Sequence, residues 1–561
     1  MKINLVKLSF FLLSLFLILP AIWPLFRNDF FRMHDFTHVS RLVELDVALR
    51  DGQIPPRWAP DFGWGYGMPL LHFYPPLPYY LAEIFYWLGF SAVVAIKIVF
   101  ALNFFAGFWF MFLWAKEFWG KIGGIVAAVA FTYLPYRAVQ FYVRGALAEL
   151  MAMTFLPLFF YSAYKLVKTK KREFVILTAL AIAAVFLAHN VIALLAVFFF
   201  SLYFLSQLLL KIEYKKRLIL PWKSLILVVM AVLGGIALSA FFILPAYFEK
   251  DNTIVSSLAG GFSYYKLHFV FLRQLIDRRW AYGGSVLGPN DDISFQIGVP
   301  HILLVGLSIA PFLVFIRKRR YHFIAILLYC YMVVLLSIFM MTFHSQFIWE
   351  RLTILHIAQF PWRFLTFVGV AVCFLSGSLW GLIKSPRWAL SLAGTVVLAT
   401  IALNFNYFKP EKFWPVDDFY YTDRNKIKTQ MSGVLFDYIP RWAKKNPPLF
   451  DRPYQTSAQI NNWQEKTGFY SFVTTNQEMT LFSLNNFYFP GWKVLVDNQE
   501  KQINYQNPLG IIEFVLPGGT HQVVIKLTKT SLQLWSDRLS LVSWLGLLIF
   551  IIGNVKTKIR L

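Results

Sequence analysis

Residues 8–38 read LSFFLLSLFLILPAIWPLFRNDFFRMHDFTH. Leu8 to Phe26 runs without a charge for long enough, at 1.5 Å of rise per helical residue, to cross about 30 Å of hydrocarbon. Arg27 marks the exit. Asp35 then follows in Phe31-Arg32-Met33-His34-Asp35-Phe36-Thr37-His38, where a long loop leaves the bilayer. A carboxylate there, beside arginines and aromatics, has the setting of a catalytic base at a membrane surface.

The rest of the chain repeats the first run. Hydrophobic residues make up 58% of 561, aromatic residues 19% and charged residues 15%, and the apolar residues gather in runs of about 18 to 25, which fits a polytopic membrane protein. The formal charge is +24. Its basic residues cluster in short loops, Lys165 to Arg172, Lys211 to Arg217, Arg317 to Arg320 and Lys556 to Arg560, as positive-inside topology requires, so the charge is not read as a nucleic-acid surface. Cys330 and Cys373 lie in apolar runs, which removes a disulfide framework and a cysteine zinc site. Lys2 and Lys7 precede a run too long for a signal peptide, and no small-x-small cleavage pattern follows, so the first run is expected to be an uncleaved span.

Spans are expected near 5–26, 94–115, 121–136, 147–165, 173–189, 191–210, 223–247, 297–316, 321–342, 361–383, 387–404 and 539–554. Pro75 to Phe90 is apolar but opens with prolines and carries Glu83, Tyr79, Tyr80, Tyr86 and Trp87, as an interfacial helix would. The basic loops alternate with a cytoplasmic N-terminus only if that segment does not cross. The expected class is thus mostly α, a helical bundle of about 12–13 spans. Loops 27–93, 137–146, 248–296 and 343–360 would then face outward. So would a β-sandwich-like region drawn from 479–484, 492–496, 511–516 and 521–527, punctuated by Pro490-Gly491 and Pro517-Gly518-Gly519. The domains divide as 1–404 in the membrane, 405–538 β-rich outside, and 539–561 as the last span and a cytoplasmic tail.

Ionisable residues that are expensive near hydrocarbon collect on the expected outer face, and such expense points to use. Asp35 has two readings, general base or N-cap of a helix from Phe36 to Leu49. Asp46 reads as the partner of Arg50. His34 and His38, four apart, would share a helical face and could hold a divalent metal, although interfacial histidines bonded to loop backbone fit the same spacing. Arg137 and Arg144 flank a short loop ending at Glu149; with Arg351 and Arg363 they offer guanidinium forks for a lipid phosphate, or else snorkel and pair with Glu149 and Glu350. Phe62-Gly-Trp-Gly-Tyr-Gly-Met-Pro69 follows no strand and reads as an irregular loop whose aromatic faces suit sugars or the interface. His189-Asn190 closes a turn between spans, where capping helix ends is the simple alternative to substrate binding.

At these residues the chain resembles bacterial polytopic membrane proteins of the YfhO-like type and those related to 6-pyruvoyl-tetrahydropterin synthase, both similar to the GT-C class of lipid-sugar-dependent glycosyltransferases. The resemblance rests on His34-Asp35, Gly65-Tyr-Gly-Met-Pro with Phe73-Tyr-Pro-Pro-Leu-Pro-Tyr-Tyr80, Tyr136-Arg137 through Arg144-Gly-Ala-Leu-Ala-Glu149, Ala188-His-Asn190 and Phe360-Pro-Trp-Arg363. Phe489-Pro-Gly-Trp492 and Gly518-Gly-Thr-His521 resemble the outer β-domain of the YfhO-like group. It implies a GT-C-like fold in which Asp35 activates an acceptor against a polyprenyl-phosphate-linked sugar. Arg144 and Glu149 resemble the arginine and acidic residue at the outer start of a later span. The first loop departs from the pattern with one Asp rather than a paired acidic motif, and the W-W-D signature of oligosaccharyltransferases is missing, so protein N-glycosylation is not expected. Nor are clustered ligands present for pterin chemistry.

These readings imply a membrane enzyme that moves a sugar to an extracytoplasmic cell-envelope glycan or lipid, with both termini cytoplasmic. Asp35 and Glu149 are the expected catalytic acids; His34, Arg137, Arg144, His189, Arg351 and Arg363 the expected substrate contacts; no metal ligand is assigned, with His34 and His38 the candidates should a divalent metal bind. A flippase of a lipid-linked glycan and a non-catalytic glycan-binding envelope protein are the alternatives. The flippase would need polar residues through the middle of the bilayer, where the sequence reads Leu, Ile, Val, Phe and Ala.

Overall fold

The computed structural model describes residues 5–214, 221–255, 263–415, 417–431 and 438–559. Parts of the basic runs Lys211 to Arg217 and Lys556 to Arg560 lie outside them. Ten helices among the described residues are long and apolar enough to cross a membrane. The expected pair 94–115 and 121–136 forms Ala92–Thr132, interrupted at Gly120, whose φ of 74° and ψ of 178° break the helical path. Arg172–Ala188, with 17 residues, is shorter than those ten. The expected 297–316 run bends at Ser308 into Val299–Leu307 and Ile309–Arg317. The last helix starts at Ser531, earlier than expected, because the charges in its first turns, Asp537 among them, have partners.

Leu77–Trp87 has 11 residues, roughly 16 Å of helix, so it is too short to cross. Ile84, Trp87 and Leu88 are exposed along it while Glu83 is buried, the arrangement of an interfacial helix. No helix forms from Phe36: the helix is His38–Arg50, and its N-cap is Thr37 rather than Asp35. The single Arg50 Nε–H is shared between the two Asp46 carboxylate oxygens, at 2.7 and 2.8 Å, as the spacing of four predicts.

The chain divides into two compact units. One holds 1–36, 97–237 and 259–415; the other holds 37–96, 238–258 and 416–561. In the first, the short strands β1 (Phe30–Phe31) and β2 (Phe413–Trp414) pair antiparallel. Lys97 donates to the consecutive carbonyls of Arg27, Asn28 and Asp29 at 2.7, 3.1 and 2.9 Å. That contact holds the chain where it leaves its first span. Cys330 and Cys373 are buried thiols.

The second unit carries the β-rich region, with strands β3 (Tyr454–Gln455), β4 (Gln459–Lys466), β5 (Phe469–Asn476), β6 (Thr480–Phe487), β7 (Trp492–Val496), β8 (Gln499–Lys501), β9 (Ile511–Leu516) and β10 (Gly519–Leu527). They form a five-stranded sheet in the order β4-β5-β10-β7-β8 and a three-stranded sheet in the order β3-β6-β9. Phe472 of one sheet stacks on Phe482 of the other at 4.8 Å. Alternation buries Trp492, Val494 and Val496 of β7, so the two sheets make the expected sandwich. The glycine-rich loop is irregular, as expected, but its Tyr66 is fully buried against Phe450 and Phe487 and presents no free face.

A buried polar chain closes this unit. Arg57 donates from Nη1 to His72 Nδ1 at 3.0 Å and from Nη2 to Asp537 at 2.7 Å, and His72 Nε2 meets Glu249 at 2.7 Å. Glu249 also accepts from Thr530 and Gln533 in the last helix.

Burial, and after it the neighbouring Asp46, pushes the Glu83 carboxyl up to about 8. A folded-state value above the unfolded one makes stability greatest below the unfolded pKa and erodes it as pH rises through the folded one. The melting midpoint of the detergent-solubilised protein is therefore expected to fall between pH 5 and pH 8, by the usual carboxyl range. Glu83→Gln should flatten that fall; an unchanged slope would show that another group governs it.

Candidate functional site

The site builds outward from Glu149 in the first turn of the helix Leu147–Thr169, where the helix dipole favours an acid. Its side chain is 1% exposed. One oxygen accepts from the Tyr136 hydroxyl at 2.6 Å and from Gln140 Nε2 at 3.1 Å. The other accepts from Arg144 Nη1 at 2.9 Å and lies 3.6 Å from Arg363 Nε. Four groups thus converge on one carboxylate, which is what a buried charge needs to be tolerated.

The guanidinium of Arg144 rests over the Trp362 ring at 4.4 Å. Burial works against its charge, but Glu149 outweighs that and holds the group above its ordinary range. Arg363 donates to the Ala358 carbonyl at 2.7 Å and lies over Phe360 at 5.0 Å. The motif Phe360-Pro-Trp-Arg363 therefore supplies both an aromatic floor for one arginine and a second guanidinium.

The Asp35 segment is laid against this cluster by backbone pairing. His34 N donates to the Val143 carbonyl at 3.1 Å and Asp35 N to the Arg144 carbonyl at 2.9 Å, and the Asp35 charge is felt by Arg144. The approach depends on Gly145, with φ +62°; a Cβ there would come within 2.1 Å of Met33 Sδ. Only glycine fits, on both counts. Just before it the chain widens into a π-helical turn, Val139–Val143, a departure that recurs at functional positions.

The expected residues divide. Asp35, His34, Arg144, Glu149 and Arg363 come together, with His189 in the electrostatic field of Glu149, Arg144 and Arg363. His189 Nδ1 also accepts from Ile192 N at 3.1 Å, capping the helix Asn190–Tyr214. Arg137 stands apart. It is fully buried between Phe104 and Phe131, at 4.7 and 4.3 Å, and donates to the Asn103 carbonyl at 2.9 Å. Arg351 ends the helix Gln346–Arg351 exposed, and among the described residues no ion pair joins it to Glu149.

For a metal, the helical-face premise fails because the helix begins at His38 and leaves His34 outside. His34 Nε2 meets the Tyr282 carbonyl at 2.9 Å and His38 Nδ1 the Tyr79 hydroxyl at 2.8 Å. Among the described residues no three His, Cys, Asp or Glu gather as metal ligands. Tyr136, Gln140 and Trp362 join the site without a sequence motif that assigns them to it. The spacing of Tyr136 and Gln140, one helical turn apart and just before Arg144, was the signal that both could reach the same acid.

Removing the Glu149 charge strands two buried guanidinium groups. Glu149→Gln is expected to destabilise the protein by about 3–5 kcal/mol, read as a lower unfolding midpoint in detergent, and an unchanged midpoint would mean that the arginines are solvated.

A protein of Lactococcus lactis subsp. cremoris (strain MG1363), described only as "Uncharacterized protein", is 24% identical over 261 residues, which covers 46% of this chain and 42% of that relative. Among solved structures, the arabinofuranosyltransferase AftD from Mycobacteria is 14% identical with a TM-score of 0.43, over 72% of this chain and 27% of that one. The Archaeoglobus fulgidus oligosaccharyltransferase is 13% identical with a TM-score of 0.41, over 72% of this chain and 55% of that one. With TM-scores below 0.5, these likenesses decide neither fold nor function. Residues 71–408, more than half of the chain and including Arg144, Glu149 and Arg363, match a family model of membrane proteins, and the chain accordingly belongs to the family of the 6-pyruvoyl-tetrahydropterin synthase related domain.

Proposed function

We propose that this membrane protein is a glycosyltransferase that takes a sugar from a polyprenyl-phosphate donor and passes it to an acceptor hydroxyl of a cell-envelope glycan or lipid. The observation that carries the reading is the pairing of His34 and Asp35 with Val143 and Arg144, which sets an acid beside Arg144, one of two guanidinium groups held by one buried glutamate. Asp35 is half-buried, accessible enough to meet a substrate hydroxyl. The basic loops support termini in the cytoplasm and this cluster on the outer face.

The chemistry follows from charge. Asp35 takes the proton from the acceptor hydroxyl as its oxygen bonds to the anomeric carbon, and the bond from that carbon to the phosphate oxygen breaks with its electron pair on the phosphate. Arg144 and Arg363 meet the charge that develops there, the kind of preorganised help that dominates many such steps. The phosphate gains one negative charge while Asp35 loses one, so the total within the pocket does not change. That balance suits a site of low dielectric, where net charge is expensive. Glu149 holds the two arginines and stays ionised throughout.

Membranes carrying the protein are expected to transfer radiolabelled sugar from a polyprenyl-phosphate donor. Asp35→Asn should lower kcat by about 100-fold or more, the scale of general-base catalysis, with donor affinity kept. Arg363→Lys should weaken donor binding instead. Undiminished transfer in Asp35→Asn removes the proposed base, and donor moved across the bilayer without transfer would favour the flippase.

A further inference from the structure

Residues 282–293 form a small hairpin outside the machinery described so far. Tyr282 and Ile293 make an antiparallel bridge. Gly283 N donates to the Asp292 carbonyl at 2.7 Å, and Asp292 N to the Gly284 carbonyl at 3.1 Å. Asp291 anchors the turn, accepting from Val286 N at 2.7 Å and from Gln274 Nε2 at 2.6 Å.

Two of its residues reach the arms of the candidate site. The Tyr282 carbonyl holds His34 Nε2 at 2.9 Å, and His34 belongs to the segment that carries Asp35. Ser285 Oγ accepts from Trp362 Nε1 at 3.2 Å and shares a 2.5 Å hydrogen bond with His268 Nδ1. Ser285, His268 and Trp362 are all buried, at 5%, 2% and 4% exposure. His268 in turn meets Phe360 edge-on at 4.7 Å, and Phe360 stacks on Trp362 at 4.9 Å. The indole is therefore fixed by its N–H on one edge and by a ring on its face. Arg144 lies on that indole.

We infer that the 282–293 hairpin is a positioning element, in which Ser285, itself held by His268 from outside the hairpin, fixes Trp362, and through it the Arg144 guanidinium, while Tyr282 fixes the segment bearing Asp35. Neither Ser285 nor His268 brings a charge to the phosphate or a base to the hydroxyl. Their effect is to hold an acid and a cation at one separation, and misplacement by an ångström costs a catalytic site heavily. The inference rests on the reading of the cluster as an anion-holding site, but its test does not need the sugar.

The test is site-resolved phenylglyoxal labelling of arginines in the full-length protein in detergent, read by peptide mass spectrometry. Ser285→Ala is expected to raise labelling at Arg144 by roughly fivefold, the scale of one lost hydrogen bond, with Arg351 and Arg273 unchanged. Ser285→Thr, which keeps the hydroxyl, should restore protection. In a Trp362→Phe background, which keeps a ring but no N–H, Ser285→Ala should add nothing further.

Unchanged Arg144 labelling in Ser285→Ala, an equal rise at all three arginines, or additive effects in the double variant would each overturn the inference. Gly283→Ala provides an independent arm. A Cβ there would meet Asp292 Cβ at 2.5 Å, so the hairpin must shift, and diethylpyrocarbonate labelling of His34 should rise together with Arg144 labelling; a shift at neither would also overturn it. Wild-type protein that binds no undecaprenyl phosphate yet shows these labelling patterns would remove the sugar-transfer reading and leave the positioning role standing.

Discussion

Burying a carboxylate in a helix that crosses hydrocarbon is tolerated only when donors surround it, and Glu149 is met by Tyr136, Gln140, Arg144 and Arg363. Each of these comes from a different local context: a one-turn helix, a π-helical turn, a loop, and the start of another span. Because one acid must satisfy all four, their relative positions are tightly limited. The π-helical turn carries Gln140 to that acid, and Trp362 lies under the guanidinium that pairs with it.

The membrane-spanning part of the fold was open to reading because composition and length alone specify it. The apolar runs 321–342 and 387–404 end within a residue or two of the helices Tyr321–Met341 and Pro386–Asn404. In the sandwich, β7 and β9 are legible because their buried side chains alternate. By contrast, β4 reads QINNWQEK, in which Ile460 and Trp463 are the apolar residues and a bulge between Asn461 and Gln464 breaks any alternation. It is an edge strand held by its ladder to β5, and nothing in its side chains announces a strand.

The site was partly legible for a similar reason. Arg144 and Glu149 are five residues apart at the mouth of a helix, and their pairing is local. Arg363 joins them through tertiary packing that no spacing could reveal. Arg137 does not join them, because the segment read as a short loop between Arg137 and Arg144 is a helical and π-helical turn that carries Arg137 into the helical core. Arg137 turns instead into a sleeve of Phe104 and Phe131, where aromatic faces and a carbonyl stand in for a counter-ion.

The Arg57–Asp537 contact sets a different kind of limit. Its partners are 480 residues apart in the chain, and at ribosomal speeds of roughly 5–20 residues per second they are synthesised about half a minute to a minute and a half apart. Throughout that interval the guanidinium lacks its native counter-charge. The contact cannot close until the last helix has been made, so this part of the unit reaches its native charge balance only after residue 537 has been synthesised.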